Sequence, residues 1–257
     1  MGSAHQRATS FRLTNRTGFL SVARMNAPDP ELFELPGGAA LVQWRRSARA
    51  RRISLRIDPR GGAVVVTLPM RAARQAGVAL LMAHAGWVSD RLAALPDAVP
   101  FADGQVIPID GIPHRIRHLA AARGGVWLGG GEVCVTGRPE FLRRRVSDFL
   151  RAQARSRMVA LAAAKAALGD LTARRVTVKD TQSRWGSCAA DGSISFSWRL
   201  VMAPAFVQDY VAAHEVAHLR HMNHGTRFWT LVDRLTPHAA RAIPWLNAEG
   251  ARLLRIG

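Results

Sequence analysis

One segment limits what this chain can fold into more than any other: a largely apolar, helix-forming stretch from Phe206 to Leu219 that contains the sequence His-Glu-Val-Ala-His. His214 and His218 stand four residues apart, so they lie on one helix face within reach of a single ion, and Glu215 can act as a general base on water there. Imidazole nitrogens in such apolar surroundings are costly unless something binds them. The segment therefore predicts the helix of a zinc-dependent hydrolase.

A third histidine completes the set of ligands that a catalytic zinc requires. Three protein ligands leave the fourth position open for water. His224 lies ten residues after His214, past the expected helix end, where Asn223 and Gly225 allow the chain to turn back. We therefore predict one Zn2+ per chain. The predicted ligands are His214, His218 and His224.

Two neighbouring residues fit more than one role. Tyr210 lies one turn before His214, and its hydroxyl suits either a group that stabilises a developing oxyanion or an ordinary core tyrosine with a satisfied hydroxyl. His221 follows His218 by three residues. We expect it to support a ligand or to face solvent rather than to bind the metal.

Periodicity elsewhere in the chain predicts an α+β fold. Alternating apolar residues at 39–68 predict a β-hairpin, 71–95 have helical spacing, and 107–135 indicate a small meander of short strands. Residues 140–168 predict a long amphipathic helix. The segment 194–200 alternates as a strand, which we expect to be the sheet edge where an extended peptide adds as a further strand.

These elements suggest a division of the chain into two folded parts. We expect a zincin-like catalytic domain over residues 136–257, preceded by a β-rich subdomain with one helix at residues 37–135. Residues 1–36 show little apolar periodicity and are expected to be disordered.

Composition limits the compartment and the partners. No apolar run reaches the roughly 20 residues of a membrane-spanning helix, so no membrane partner is expected. The two cysteines cannot form a disulfide framework, and nothing resembles a secretory leader. A reducing cytoplasm fits these features best.

The net charge of +18 raises the question of a polyanionic partner. Only two of the 36 basic residues are lysines, which is typical of base composition acting on codons across a genome. The densest basic cluster therefore has two interpretations, a nucleic-acid-binding face or plain solvated charge. Its members are Arg45, Arg46, Arg49, Arg51 and Arg52.

Several short motifs lie between residues 180 and 230. They are Arg184-Trp185-Gly186-Ser187-Cys188, Ile194-Ser195-Phe196-Ser197-Trp198-Arg199-Leu200, Ala203-Pro204, Tyr210-Val211, Asn223-His224 and Arg227-Phe228-Trp229. Together with the His-Glu-Val-Ala-His segment they resemble the YgjP-like metallopeptidase family, over roughly residues 40–250. That family is similar to the SprT-like and WLM zinc peptidases. The resemblance implies the same three histidine ligands and the same glutamate as base.

The resemblance also draws attention to four further positions. Ser197 stands where the family often has Asn, and His221 stands where an acidic or small residue is common; neither belongs to the ligand set. Gly186 is expected to let the backbone approach the site. Cys188 is either an inert buried cysteine or a thiol that competes weakly for metal or responds to oxidation.

Three functions follow from these observations, and the oligomeric state is left open. The favoured one is a peptidase with a protein or peptide substrate, in which zinc activates water and Glu215 moves the proton. The second keeps the metal but takes a nucleotide or phosphoanhydride, although the chain lacks a Gly-x-x-x-x-Gly-Lys motif. The third is a DNA-associated protein with structural zinc, a kind of site that usually has four, cysteine-rich ligands.

Overall fold

The computed structural model describes residues 30–181 and 184–257. Most of the segment 1–36, for which disorder was predicted, lies outside these residues. Its last part, Glu31–Leu35, is a strand (β1), because it pairs antiparallel with the strand that follows it. Among the described helices, none is both long and apolar enough to cross a membrane.

The first part of the fold is a four-stranded sheet covered by two helices. In the order β1-β2-β4-β3, the central pair β2 and β4 is parallel and the outer pairs are antiparallel. The predicted hairpin is therefore confirmed for β3 and β4. The helical segment divides at His84 into two helices. The elements are β2 (Gly38–Ser47), β3 (Ser54–Asp58), β4 (Ala63–Pro69), α1 (Arg74–Ala83) and α2 (Ala85–Ala93).

The second sheet is not the predicted meander. Its strands are β5 (Val106–Ile109), β6 (Ile112–Leu119), β7 (Val126–Gly129) and β8 (Glu132–Thr136). Their order is β5-β6-β8-β7 with β6 and β8 parallel, which repeats the strand order of the first sheet. The reason is burial: Val133 and Val135 are fully buried and require the central position, whereas Trp127 and Leu128 are about 40% exposed and suit an edge.

The long predicted helix is confirmed as α3 (Leu142–Leu168), after a 3-10 turn at Pro139–Phe141. Its buried residues share one hydrophobic core with the second sheet and the C-terminal helices. The first sheet has a separate core with α1 and α2. We therefore propose that the two parts divide between Leu92 and Phe101, rather than at residue 135.

A third, three-stranded sheet leads to the C-terminal helices. Its order is β10-β11-β9, so β11 is central and is not the edge that the sequence suggested. The strand also ends at Ser197, before a 3-10 turn at Trp198–Met202. The elements are β9 (Arg175–Lys179), β10 (Gly186–Cys188), β11 (Ser193–Ser197), α4 (Ala205–Ala217), α5 (Thr226–Leu235) and α6 (Ala239–Leu254).

One carboxylate joins the two parts of the fold. Asp180 accepts hydrogen bonds from Arg60 in the turn between β3 and β4, from Arg151 on α3 and from Arg199. The Trp198 indole donates to it as well. Arg199 is 1% exposed, so Asp180 supplies the countercharge that its burial requires.

Candidate metal centre

Helix α4 is buried on nearly all sides, which fixes the orientation of the His-Glu-Val-Ala-His segment. Val207, Val211, Val216 and Ala217 are buried around its circumference. His218 caps the helix, and the chain then turns through residues 219–225 before α5 begins. That turn returns His224 to the face of α4 that carries the other two histidines.

The three histidines converge on one point. A ligand nitrogen from each of His214, His218 and His224 lies within 4.8 Å of the other two. The Nε2 atoms of His224 and His214 are 3.1 Å apart. Among the described residues, this is the group whose donor atoms could hold a metal ion.

Hydrogen bonds and packing orient the rings. The Nδ1 of His218 lies 3.0 Å from the carbonyl oxygen of His221, so Nδ1 donates and Nε2 keeps its lone pair. The Tyr210 hydroxyl lies 3.4 Å from the Nδ1 of His214. Phe228 is fully buried, and its ring centroid lies 4.6–5.0 Å from those of all three histidines.

The imidazoles are neutral at physiological pH. Burial, and then the neighbouring histidines, lower the pKa of His214 to about 3. Burial also lowers the pKa of His218 and of His224. Three neutral rings with converging nitrogens match what a divalent metal requires of its ligands, because only unprotonated imidazole binds metal.

Glu215 lies on the buried side of the same helix. Its side chain is buried, and burial raises its pKa to about 8, although the positive charge of Arg184 opposes the shift. A Cβ atom at Gly186 would lie 2.5 Å from the Cγ of Glu215. The backbone of β10 therefore packs directly on the carboxyl group, a close approach that glycine at this position allows.

Cys188 and Tyr210, two other residues singled out in the sequence, both keep their protons at neutral pH. Cys188 on β10 is half-buried, and burial, Glu215 and Asp191 raise its pKa to about 11. It is therefore a protonated thiol, and it is outside the metal-ligating group. Tyr210 is buried, and burial together with Glu215 raises its pKa to about 12, so its hydroxyl keeps its proton.

The arginine cluster belongs to the first part of the fold. Arg45 and Arg46 are on β2, and Arg49, Arg51 and Arg52 are in the loop before β3. Arg46 donates to the carbonyl oxygens of Pro69, Met70 and Ala72, so it holds the turn before α1. The contacts of the metal centre do not include these arginines, and the binding of nucleic acid by the cluster stays a prediction.

Two contributions to the site have no clear signal in the sequence. His221 acts through its backbone carbonyl, which any residue could supply, so residue identity gives no hint of it. Phe228 forms one wall of the histidine group. Phe228 follows His224 by four residues, and this spacing hints only at proximity.

Comparisons with known proteins identify the family of this chain. A family model described as the YgjP-like metallopeptidase domain matches residues 51–249. Among solved structures, the metallopeptidase zymogen of Pyrococcus abyssi abylysin is similar at 18% identity over 38% of this chain and 97% of its own, with a TM-score of 0.34. Curated proteins give no match. Because the family model covers well over half of the sequence, the chain belongs to the YgjP-like metallopeptidase family and is a metal-dependent peptidase.

Proposed function

We propose that this peptidase uses zinc, with His214, His218 and His224 as ligands and Glu215 as general base. The observation that carries the proposal is the convergence of three neutral imidazoles beside a buried carboxyl group. An all-imidazole set with one carboxylate nearby suits Zn2+ among common metals. When bound, zinc would supply Lewis acidity that activates water and polarises the substrate carbonyl.

The histidines are held for this task by their own neighbours. The His218 ring is fixed by the His221 carbonyl, and the His214 ring by the Tyr210 hydroxyl. Both contacts use Nδ1 and leave Nε2 directed at the common point. Such outer contacts typically change metal affinity by about 10–100-fold when they are removed.

Glu215 moves the proton. A cation held by the three histidines favours the ionised carboxylate, which then accepts a proton from the attacking water. The same oxygen atoms return that proton to the leaving amine nitrogen. Burial opposes ionisation, so the protonated state costs little and the proton can be passed on.

The substrate has a place to bind at β10. Ser197 N donates to Trp185 O at 2.8 Å, and Ala189 N donates to Ser193 O at 2.9 Å. In an antiparallel pair these groups alternate, so the backbone N–H and C=O of Gly186 and Cys188 face away from β11. An extended peptide can add there as a strand, beside the carboxyl group that packs on Gly186.

The variant Glu215→Gln tests the proposal. It should retain zinc and its melting temperature while turnover of peptides falls by about 10²–10⁴-fold. Glu140, an exposed glutamate in the 3-10 turn before α3, supplies the matched control, and Glu140→Gln should change none of these three quantities. Undiminished hydrolysis by Glu215→Gln would rule out this base.

The same experiment decides between the substrates that the sequence left open. Its panel contains peptides, unfolded proteins and nucleoside triphosphates, each with and without chelator. Peptide cleavage that depends on both metal and Glu215 supports the proposal. Chelator-sensitive cleavage of nucleotides alone would favour the phosphoanhydride alternative.

A further inference from the structure

A cationic cavity of about 250 Å³, open to solvent, adjoins the metal centre between the loop after α4 and one face of α5. Three arginines dominate its walls. Arg227 and Arg234 stand seven residues apart on α5, with the threonines at 226 and 230 on the neighbouring stripe, and Arg220 faces them from the loop. Among the described residues, no acidic side chain lines the cavity.

The positive charge of this cavity has no carboxylate partner among the described residues. None of the three arginines forms a salt bridge with a described carboxylate; Arg220 donates only to the backbone carbonyl of Asp170. Asp233 is the single acidic residue of α5, and it is not part of the walls. The guanidinium groups are exposed and line one space, so their N–H groups are available to an oxyanion that enters it.

The cavity and the metal centre are formed in part by the same stretch of chain. His221 lines it, and the carbonyl of that residue accepts the hydrogen bond from His218. Thr226 follows His224 by two residues, so their Cα atoms are at most about 7 Å apart. An extended peptide advances about 3.3–3.6 Å per residue, so a side chain a few positions from the scissile bond can reach the cavity.

We propose that this cavity is a specificity pocket for the carboxylate of an acidic side chain in the peptide substrate. The inference rests on the proposed peptidase function. Arg227 and Arg234 supply forks that bind a carboxylate through paired N–H groups, and the first turn of α5 adds unpaired backbone N–H groups near Thr226. The enzyme should therefore favour peptides with Asp or Glu near the cleaved bond.

Binding tests this without any need for turnover. Labelled peptides that carry a single glutamate at scanned positions, and matched peptides with glutamine, are titrated by fluorescence anisotropy into the full chain with Glu215→Gln. Adding Arg227→Gln and Arg234→Gln should weaken binding of the best glutamate peptide by about tenfold or more. The affinity for the matched glutamine peptide should not change. Unchanged affinity for the glutamate peptide would contradict the proposal of a specificity pocket.

A matched pair of substitutions separates the pocket from the general charge of the protein. Arg71→Gln with Arg143→Gln removes the same charge from exposed positions outside the cavity. If both pairs weaken binding equally, the attraction is nonspecific and the proposal fails. Melting temperatures identify any folding defect, and each single arginine variant is measured so that one unstable double variant does not decide the result.

Two further measurements identify the ligand of the cavity and separate the pocket from the proposed peptidase mechanism. Inorganic phosphate should compete with the glutamate peptide, because it is also an oxyanion. If phosphate binding depends on Arg227 and Arg234 but no glutamate peptide binds better than its glutamine counterpart, the cavity serves a free anion and the substrate proposal is wrong. If the arginines govern peptide affinity while the unsubstituted enzyme cleaves no peptide, the pocket stands and the proposed peptidase mechanism fails instead.

Discussion

Gly186→Ala is expected to disable the enzyme through a single methyl group. A Cβ atom at this position would lie 2.5 Å from the Cγ, 2.6 Å from the Oε1 and 2.7 Å from the Cδ of Glu215. Ordinary carbon contacts are about 3.5 Å or longer, so the carboxyl group or β10 must move by about 1 Å. The backbone of Gly186 is not in the left-handed region, so alanine introduces no conformational strain of its own.

The expected cost is mainly catalytic. A misplacement of about 1 Å in a catalytic group can cost about 10²-fold in rate, and overpacking costs about 1–3 kcal/mol of stability. We therefore expect kcat/KM for a peptide to fall about 100-fold, largely through kcat, with zinc content unchanged.

The assay combines steady-state kinetics, elemental analysis and thermal unfolding on one preparation. Gly86→Ala is the matched control, because a Cβ there meets nothing within 4 Å. It should leave turnover intact. Full activity of Gly186→Ala at an unchanged melting temperature would refute the contact between β10 and the catalytic base.

Three further outcomes are expected. Phe228→Ala should lower the free energy of unfolding by about 3–5 kcal/mol in denaturant titration, since it empties a fully buried site; a loss under 1 kcal/mol would contradict the packing. Tyr210→Phe should keep the fold but weaken zinc binding about tenfold or more in chelator competition. Unchanged zinc affinity would contradict a role for the contact between Tyr210 and His214. Burial tends to raise the pKa of Asp180, but Arg199 and the other arginines bring it below the ordinary 3.8, so its contribution is present above that pH and is lost as the pH falls through the lowered value. Asp180→Asn should thus lower the free energy of unfolding by about 3 kcal/mol at neutral pH, the lower end for a buried ion pair because Asp180 is partly exposed, and flatten the acid limb of stability against pH; an unchanged acid limb would contradict the ion-pair assignment.

The site was more predictable from the sequence than the sheets were. The four-residue spacing of His214 and His218 is a local property of a helix, and it places both rings on one helix face whatever surrounds the helix. The approach of β10 to Glu215 could be anticipated only in outline, because a glycine permits close contact without naming the partner. The charge balance of the cavity beside α5 needed the structure, since its arginines come from two elements.

Sheet order shows why local patterns are not sufficient. The parallel pairs of β2 with β4 and of β6 with β8 join strands that are not neighbours in the chain, so no turn residue marks them. In β11, Ser195 and Ser197 alternate with large apolar residues, and we expected this strand to lie at a sheet edge. Both serines are buried, and the Ser195 hydroxyl pairs with that of Ser187 on β10. The polar alternation therefore marked a covered strand rather than an edge.

We propose above that three histidines hold one metal ion. Elemental analysis of mildly purified protein tests it most directly, on the unsubstituted chain, on His214→Ala, His218→Ala and His224→Ala, and on His84→Ala as an exposed control. We predict about one zinc per chain in the unsubstituted protein and in the control, and loss of zinc in each of the three variants with helical circular dichroism retained. An absence of transition metal in the unsubstituted protein, or equal zinc in all five proteins, would contradict the account.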